Sequence, residues 1–260
     1  MSHLAPILES TRARIAELRQ RVTPDVLEQH LAAAEPPRGF AAALGGPEVA
    51  VIAKIKRASP TAGALDPDLN AARLAAAYAE GGAAALSVVT EPDHFHGSLE
   101  DLQAGRAAGL PVLRKDFILD ELQVLESRAV GADALLLVVR AVEEELGHLA
   151  AVTGALGMDA LIEVHDEAEL ERAVAAGAKL IGVNHRNLET FEVDADRTAK
   201  LAPMVPPGCR LVALSGVSER AEVEALARVG ADAVLVGESL VRAPDAATKL
   251  RELRGRGAAG

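Results

Sequence analysis

Residues 129–139 read AVGADALLLVV, and residues 228–240 read RVGADAVLVGESL. In both segments a helical pattern ends at a glycine, and an apolar run of strand length begins within three residues. Residues 79–89 and 175–184 repeat this arrangement as AEGGAAALSVV and AAGAKLIGVN. A helix-to-strand unit that recurs along a chain predicts parallel strands covered by helices.

Apolar runs of strand length alternate with alanine-rich helical stretches over most of the chain. There are eight such runs, near 49–55, 84–89, 111–115, 133–139, 159–164, 179–184, 210–214 and 232–237. Continuous apolar strands are typical of parallel sheets, and eight strand–helix units predict an α/β fold closed into a (β/α)8 TIM barrel. An open doubly wound sheet is the alternative, which is weakened because no G-x-G-x-x-G follows a strand and no second domain is evident.

The first 45 residues follow a different rhythm. Residues 4–34 carry apolar side chains at helical spacing, and Thr23 and Pro24 mark a fresh helix start before the break at EPPRG. We therefore predict an N-terminal helical extension over residues 1–45 and a barrel catalytic domain over residues 46–260, together one structural domain.

Composition limits the class of protein. The chain has 260 residues, of which 50% are hydrophobic and 25% charged, and its formal net charge is −11. That charge argues against a nucleic-acid or anionic-membrane surface, which needs a basic face. No apolar run approaches the ~20 residues that span a bilayer, and the first residues show no secretory signal, so we expect a cytoplasmic protein. The single Cys209 excludes an internal disulfide.

Charged residues end several of the predicted strands. In TIM barrels the active site lies at the carboxyl ends of the strands. Lys54 and Lys56 end the first run, Lys115 ends the third and Glu163 the fifth, and alternation directs all four side chains into the barrel mouth. Three cations facing one carboxylate, on a protein of negative charge, predict an anionic small-molecule ligand. Lysines that lie along the rim in water are the alternative.

The last two predicted strands end in the glycine-rich segments LSGVSER and VLVGESL. The backbone N–H groups of Ser215, Gly216, Gly237 and Glu238, at the starts of the following helices, are candidates for holding a phosphate. A glycine after a strand is usually only a turn, but barrels place phosphate after their seventh and eighth strands.

Aromatic and histidine residues are few. Phe95 and Phe117 fall in loops beside the charged strand ends, where they either plug the loops or form a wall for a planar ligand. His94 and His96 form an H-x-H pair without an evident third ligand, so we predict no metal site. His165 is expected to serve a turn or a helix cap.

These segments, taken in order, resemble the indole-3-glycerol phosphate synthase family from residue 49 onward. The similar segments are VIAKIKRASPTAG, HFHGSLEDL, PVLRKDFILDELQVLESRAVGADALLLVV, LIEVHDEAEL, GVNHRNLETFEVD and SGVSER with GADAVLVGESLVR. LRKDFI and N-x-R-[DN]-L-x-T are the specific pieces. The resemblance implies a carbon–carbon lyase of tryptophan biosynthesis, without cofactor, that closes the ring of 1-(2-carboxyphenylamino)-1-deoxyribulose 5-phosphate and releases carbon dioxide and water.

The resemblance also implies roles for individual residues. Lys115 would be the general acid at the substrate carbonyl, Glu163 the base for dehydration, and Lys56 a contact for anionic groups. Substrate-binding roles would fall to Ser59, Phe95, Phe117, Leu136, Asn184, Arg186 and Leu188, and phosphate binding to Ser215, Gly216, Gly237 and Glu238. Other enzymes of the tryptophan pathway are the partners that it suggests.

Two positions depart from the family pattern. Lys54 stands where the family reads IAEIKR, and Leu214 stands where it reads ESG, so two pocket glutamates are replaced and the mouth gains three units of positive charge. We expect both residues to line the substrate pocket, and we expect crowding with Lys56 to lower the pKa of one of the two lysines. Two alternatives stay open: a diverged barrel enzyme with another phosphorylated anionic substrate, and a non-catalytic phosphate-ligand binder.

Overall fold

Eight parallel strands close into a barrel in the computed structural model, which describes residues 4–59, 63–66, 68–187 and 192–255. The barrel strands are β1 (Ala50–Ile55), β4 (Ala85–Val89), β5 (Val112–Lys115), β6 (Ala134–Val138), β7 (Asp159–Val164), β8 (Leu180–Asn184), β9 (Arg210–Leu214) and β10 (Ala233–Val236). A small antiparallel ribbon consists of β2 (Ala58–Ser59) and β3 (Gly63–Ala64). Each predicted apolar run contains one barrel strand, and the predicted (β/α)8 barrel is confirmed.

Helices connect the strands and cover the outside of the barrel. Those before the barrel are α1 (Leu4–Arg21), α2 (Pro24–Ala33) and α3 (Phe40–Ala43). Those within it are α4 (Ala71–Gly81), α5 (Pro92–Phe95), α6 (Leu99–Arg106), α7 (Glu121–Ala129), α8 (Val139–Val142), α9 (Leu146–Ala155), α10 (Glu167–Ala175), α11 (Arg197–Leu201), α12 (Arg220–Arg228), α13 (Glu238–Val241) and α14 (Ala246–Leu253), with 3₁₀ turns at Glu143–Glu145 and Ala202–Met204.

The recurring glycines end helices by one shared geometry. Gly131 and Gly230 have φ of +88° and +93°, in the left-handed region that side chains disfavour. The N–H of the next residue then closes the helix end: Ala132 donates to the Ser127 carbonyl at 2.9 Å. Each left-handed glycine turns the chain directly into the following strand.

Apolar side chains form two layers because successive strand residues point to opposite faces. In β6, Leu136 and Val138 belong to the core inside the barrel, whereas Leu135 and Leu137 belong to the core between the barrel and its helices. The interior of the barrel is therefore packed with side chains, and a ligand can enter only at an end.

The segment before β1 closes the amino end of the barrel. Phe40 and Leu44 are fully buried in the interior core. The Ala41 N–H donates to Asp159 Oδ2 at 2.8 Å, and the Arg38 N–H donates to Asp133 Oδ1 at 2.8 Å. The mouth at the carboxyl ends of the strands is left open. Among the described helices, none is long and apolar enough to cross a membrane.

Candidate active site

A cavity of about 870 Å³, counted with its open mouth, lies at the carboxyl ends of the barrel strands. It is lined by the predicted site residues Lys54, Lys56, Phe95, Lys115, Phe117, Leu136, Glu163, Asn184, Arg186, Leu214, Ser215 and Glu238, and also by Val89, Glu91, Asp116, Val138 and Leu235. Leu188 and the side chain of Ser59 lie outside the described residues.

Glu163 lies at the centre of a polar cluster near the end of β7 and is 1% exposed. Lys115 Nζ lies 3.4 Å from its Oε2, and Asn184 Nδ2 donates to its Oε1 at 2.8 Å. Burial opposes ionisation, but Lys115, His165 and the Asn184 hydrogen bond outweigh it and hold the Glu163 pKa below its usual range. The carboxylate is therefore ionised at neutral pH and can accept a proton.

Alternation along β5 places Lys115 in the cavity and Arg114 on the outside. Arg114 is buried among the helices, where its guanidinium pairs with Asp116 at 3.1 Å and with Glu126 at 2.8 Å. These ion pairs fix the phase of the strand. Because that phase is fixed, Lys115 projects toward Glu163 and not toward solvent.

The charged form of the Lys54 amine is poorly stabilised in the cavity. Its Nζ makes no hydrogen bond or ion pair with any residue that the structure describes. Burial lowers the Lys54 pKa well below its ordinary value, Lys56, Lys115 and Arg186 lower it further, and Glu163 opposes them only in part. The direction of the expected change in the Lys54 pKa is therefore confirmed.

Lys56 follows Lys54 by two residues along the chain and lies closer to the mouth. Burial lowers its pKa, while the attraction of Glu238 raises it and Arg186 adds to the lowering. Both lysines of the first strand therefore carry lowered pKa values, with the larger effect on the deeper one. Few carboxylates offset the charge of these two amines, so an anion that enters the mouth would interact with them.

The departure at Leu214 changes the cavity floor. Leu214 ends β9, is 3% exposed and packs in the interior core. It lies over Gly182 of β8, where an added Cβ would come within 2.7 Å of Leu214 Cδ1 and 3.2 Å of Leu161 Cδ1. Leu214 therefore contributes an apolar floor that depends on the missing side chain at position 182.

The two glycine-rich segments differ in structure. Gly237 is the N-cap of the four-residue helix α13, as expected. The expectation that Ser215 and Gly216 start a helix is wrong, because α12 begins only at Arg220. Both residues instead have left-handed backbone, with φ of +69° and +76°. Ser215 still lines the cavity.

Contacts from α1 reach the two loops that carry the predicted aromatic wall. Arg14 Nη1 donates to Glu91 Oε1 at 3.1 Å, and its Nη2 lies 3.9 Å from Asp116 Oδ1. Glu91 accepts the N–H groups of His94 and Phe95 at 2.8 and 3.1 Å. Asp116 accepts the N–H of the following phenylalanine at 2.9 Å.

Glu91, Asp116 and Arg14 were not among the predicted site residues. A glutamate before a proline at a strand exit, as in TEPDHF, is a signal for the Glu91 helix cap. No local signal identifies Arg14, since its partners lie far away along the chain.

The histidines follow the sequence expectations only in part. Within the described ranges no group of three or more metal-binding side chains occurs. His165 was expected to serve as a turn or cap, but Asp166 caps α10 by accepting the Glu169 N–H at 2.9 Å. The buried His165 ring instead lies between two carboxylates, with Nδ1 3.1 Å from Glu169 Oε2 and Nε2 3.5 Å from Glu163 Oε1.

The fold and this cavity define a (β/α)8-barrel protein with a lysine-lined cavity at the carboxyl ends of its strands. The family model described as Indole-3-glycerol phosphate synthase matches residues 4–253. The chain belongs to that family.

Similar proteins agree with this assignment, and a solved structure shares the fold. The chain is 49% identical to the indole-3-glycerol phosphate synthase of Mycobacterium tuberculosis strain H37Rv over 252 residues. The matched region covers 96% of this chain and 93% of that protein. The corresponding protein of Mycobacterium avium strain 104 is 48% identical over the same shares. A mutant tryptophan synthase alpha-subunit from Pyrococcus furiosus covers 79% of this chain and 98% of its own, with a TM-score of 0.60 and 15% identity. That last likeness shows the fold alone.

Proposed function

We propose that this protein is an indole-3-glycerol phosphate synthase of tryptophan biosynthesis. It converts 1-(2-carboxyphenylamino)-1-deoxyribulose 5-phosphate into indole-3-glycerol phosphate, with loss of carbon dioxide and water. The observation that carries the proposal is the Lys115–Glu163–Asn184 cluster in the cavity of a chain that belongs to this family.

Lys115 and Glu163 supply the acid and the base. As the aromatic carbon attacks the ketone, negative charge develops on the carbonyl oxygen, and the Lys115 ammonium donates a proton to it. Loss of carbon dioxide restores the aromatic ring. The Glu163 carboxylate, held ionised by its neighbours, then accepts the proton that must leave for dehydration.

The remaining cavity groups match the parts of the substrate. We assign the phosphate to the backbone N–H groups of Ser215, Gly216, Gly237 and Glu238, of which Ser215 and Glu238 line the cavity, with Lys56 as a nearby cation. The aryl ring is assigned to a wall made by Phe95, Phe117, Leu136 and Leu214, and the carboxylate to Asn184 and Arg186. Ser59 and Leu188 are assigned to the carboxylate and ring by resemblance.

The test is steady-state conversion of the anilino-deoxyribulose phosphate, followed by the indole absorbance of the product. Lys115→Met should lower turnover by ~10²–10⁴-fold, the usual contribution of a positioned acid. Lys179→Met is the matched control, because Lys179 is exposed beside the start of β8, at the opposite end of the barrel. No product with the wild-type protein, or a Lys115→Met variant at the wild-type rate, would contradict the proposal.

One observation favours a second candidate function. Lys54 and Leu214 make the cavity more cationic and more apolar than the two-glutamate pattern of the family, which suits a different phosphorylated anionic substrate. In that case the wild-type protein would leave the anilino-deoxyribulose phosphate unchanged in the same assay.

A further inference from the structure

Half of the lysines in this chain line one cavity. The chain has six lysines, and three of them, Lys54, Lys56 and Lys115, face the cavity. Lys115 pairs with Glu163, but the amine of Lys54 has no hydrogen bond or ion pair among the described residues. The Lys54 side chain is therefore partly buried, and its amine has no hydrogen-bond or ion-pair partner within the described residues.

The surroundings of Lys54 favour its neutral form. The side chain leaves β1 inside the barrel, with Lys56, Lys115 and Arg186 as cationic neighbours and Glu163 as an opposing carboxylate. Burial and these cations lower the Lys54 pKa well below that of a free lysine. A neutral amine has a free electron pair and is a nucleophile toward carbonyl carbon.

The position of Lys54 places its amine beside the segment to which the phosphate is assigned. Its Cε packs on Gly237, and a Cβ built on that glycine would lie 3.3 Å from Nζ. Any side chain at position 237 would occupy the space that the lysine fills. On the neighbouring strand β4 its register partner is Ser87, whose buried hydroxyl has no hydrogen-bond partner among the described residues. A ligand whose phosphate lies at Gly237 would therefore have the Lys54 amine beside it.

We propose that Lys54 acts as a nucleophile and forms an imine with the ketone carbon of the phosphorylated substrate. The proposal rests on the proposed function for the identity of that ketone. In this route the aromatic carbon attacks the iminium carbon in place of the free ketone, while Lys115 still donates its proton to the ketone oxygen.

Each step balances without a further reactant. The neutral Lys54 amine bonds to the ketone carbon, and the carbonyl oxygen leaves as water with one proton from the Lys54 nitrogen and one from Lys115, which gives an iminium ion. The aromatic carbon then bonds to the iminium carbon, whose C=N electrons return to nitrogen. Carbon dioxide leaves the ring and restores its aromaticity. Glu163 takes a proton from the carbon next to the former ketone carbon and passes it to the Lys54 nitrogen, which departs as a neutral amine as the indole double bond forms. Lys115 regains its proton from solvent. The sum is loss of one carbon dioxide and one water.

Reductive trapping tests this inference. The wild-type protein is mixed with the anilino-deoxyribulose phosphate and sodium cyanoborohydride, which reduces an iminium ion to a stable amine. Intact mass should rise by one ligand, less one oxygen atom, and peptide mapping should place the adduct on Lys54. Product formation is measured in parallel without hydride. Lys54→Met should abolish the adduct and lower product formation at least tenfold, whereas Lys179→Met should change neither.

The outcomes separate the two proposals. An adduct on Lys54 without product in the parallel assay supports the imine and contradicts the proposed function. Product without an adduct on Lys54, or an adduct only on other lysines, overturns the imine and leaves the function standing. An unchanged rate in a folded Lys54→Met variant also overturns it. Because the wild-type adduct is mapped directly, the test does not depend on the folding of any variant.

Discussion

Lys54 and Glu163 face the same cavity with opposite electrostatic consequences. Glu163 is buried yet ionised, because a lysine, a histidine and an amide surround it. The Lys54 amine lies beside cations and makes no hydrogen bond or ion pair within the described part of the chain. Neighbouring groups therefore lower the pKa of both side chains, which favours the ionised form of the carboxylate and the neutral form of the amine.

The lowered pKa of Lys54 predicts a pH-dependent cost of folding. Its folded pKa is lowered, so between that value and about 10.4 the unfolded chain binds a proton that the folded chain does not. The wild-type free energy of unfolding should therefore rise with pH in this window relative to Lys54→Met. We expect Lys54→Met to be more stable than wild type at pH 7, with the difference shrinking toward pH 10.

Urea unfolding of both proteins across this pH range measures the difference, and Lys179→Met serves as the control. A Lys54→Met advantage that is absent at pH 7, or that grows as the pH rises, would show that the pKa of Lys54 is not lowered in the folded protein.

At the scale of elements, α1 is connected to both loops of the aromatic wall. Arg14 contacts Glu91, which caps α5 and so holds Phe95, and it also approaches Asp116, which holds Phe117. Arg14 pairs with the exposed Asp93 as well. Helix α1 therefore positions the cavity wall through these contacts and does not itself line the cavity.

Arg14→Ala should loosen both loops and leave the buried Glu91 and Asp116 carboxylates without this partner. We expect KM for the anilino-deoxyribulose phosphate to rise several-fold, with a smaller change in kcat, because the wall binds the ring while Lys115 and Glu163 remain in place. Arg12→Ala is the matched control, since Arg12 lies on the exposed face of the same helix. Unchanged KM in the Arg14→Ala variant would mean that α1 does not position the wall.

The elements also show which structural features can be predicted from the sequence. The strands and the charged strand ends were predictable because alternation and the glycine stops are local, as at Gly131 and Lys115. The contact of Arg14 with Glu91 joins residues 77 positions apart, so it depends on how α1 packs and leaves no periodic trace. His165 lies in the bend before α10, as the turn expectation had it, whereas the neighbouring Asp166 makes the cap and the ring approaches Glu163.

At the scale of the whole molecule, the barrel has one closed end and one open end. Phe40 and Leu44 fill the amino end from a four-residue helix that precedes the first barrel strand. A helix this short has no periodic pattern of apolar residues, so the sequence does not predict that it closes the amino end of the barrel. This closure explains why residues before β1 take part in the barrel core.

Phe40→Ala should therefore destabilise the whole barrel. Phe40 is 0% exposed, and truncating a buried phenylalanine typically costs ~3–5 kcal/mol. We expect a lower midpoint of urea unfolding at an unchanged slope, with Phe40→Leu intermediate. A loss below about 1 kcal/mol would show that the amino end of the barrel is not sealed by this side chain.

The central claim is that this cavity performs a decarboxylating ring closure. The most direct measurement uses anilino-deoxyribulose phosphate labelled with ¹³C in its carboxylate and follows labelled carbon dioxide and indole-3-glycerol phosphate in the same reaction. The account predicts one labelled carbon dioxide for each indole formed by the wild-type protein, and a loss of indole formation in Glu163→Gln, which cannot accept the final proton. Labelled carbon dioxide without indole from the wild type, or an unchanged yield of indole from Glu163→Gln, would contradict it.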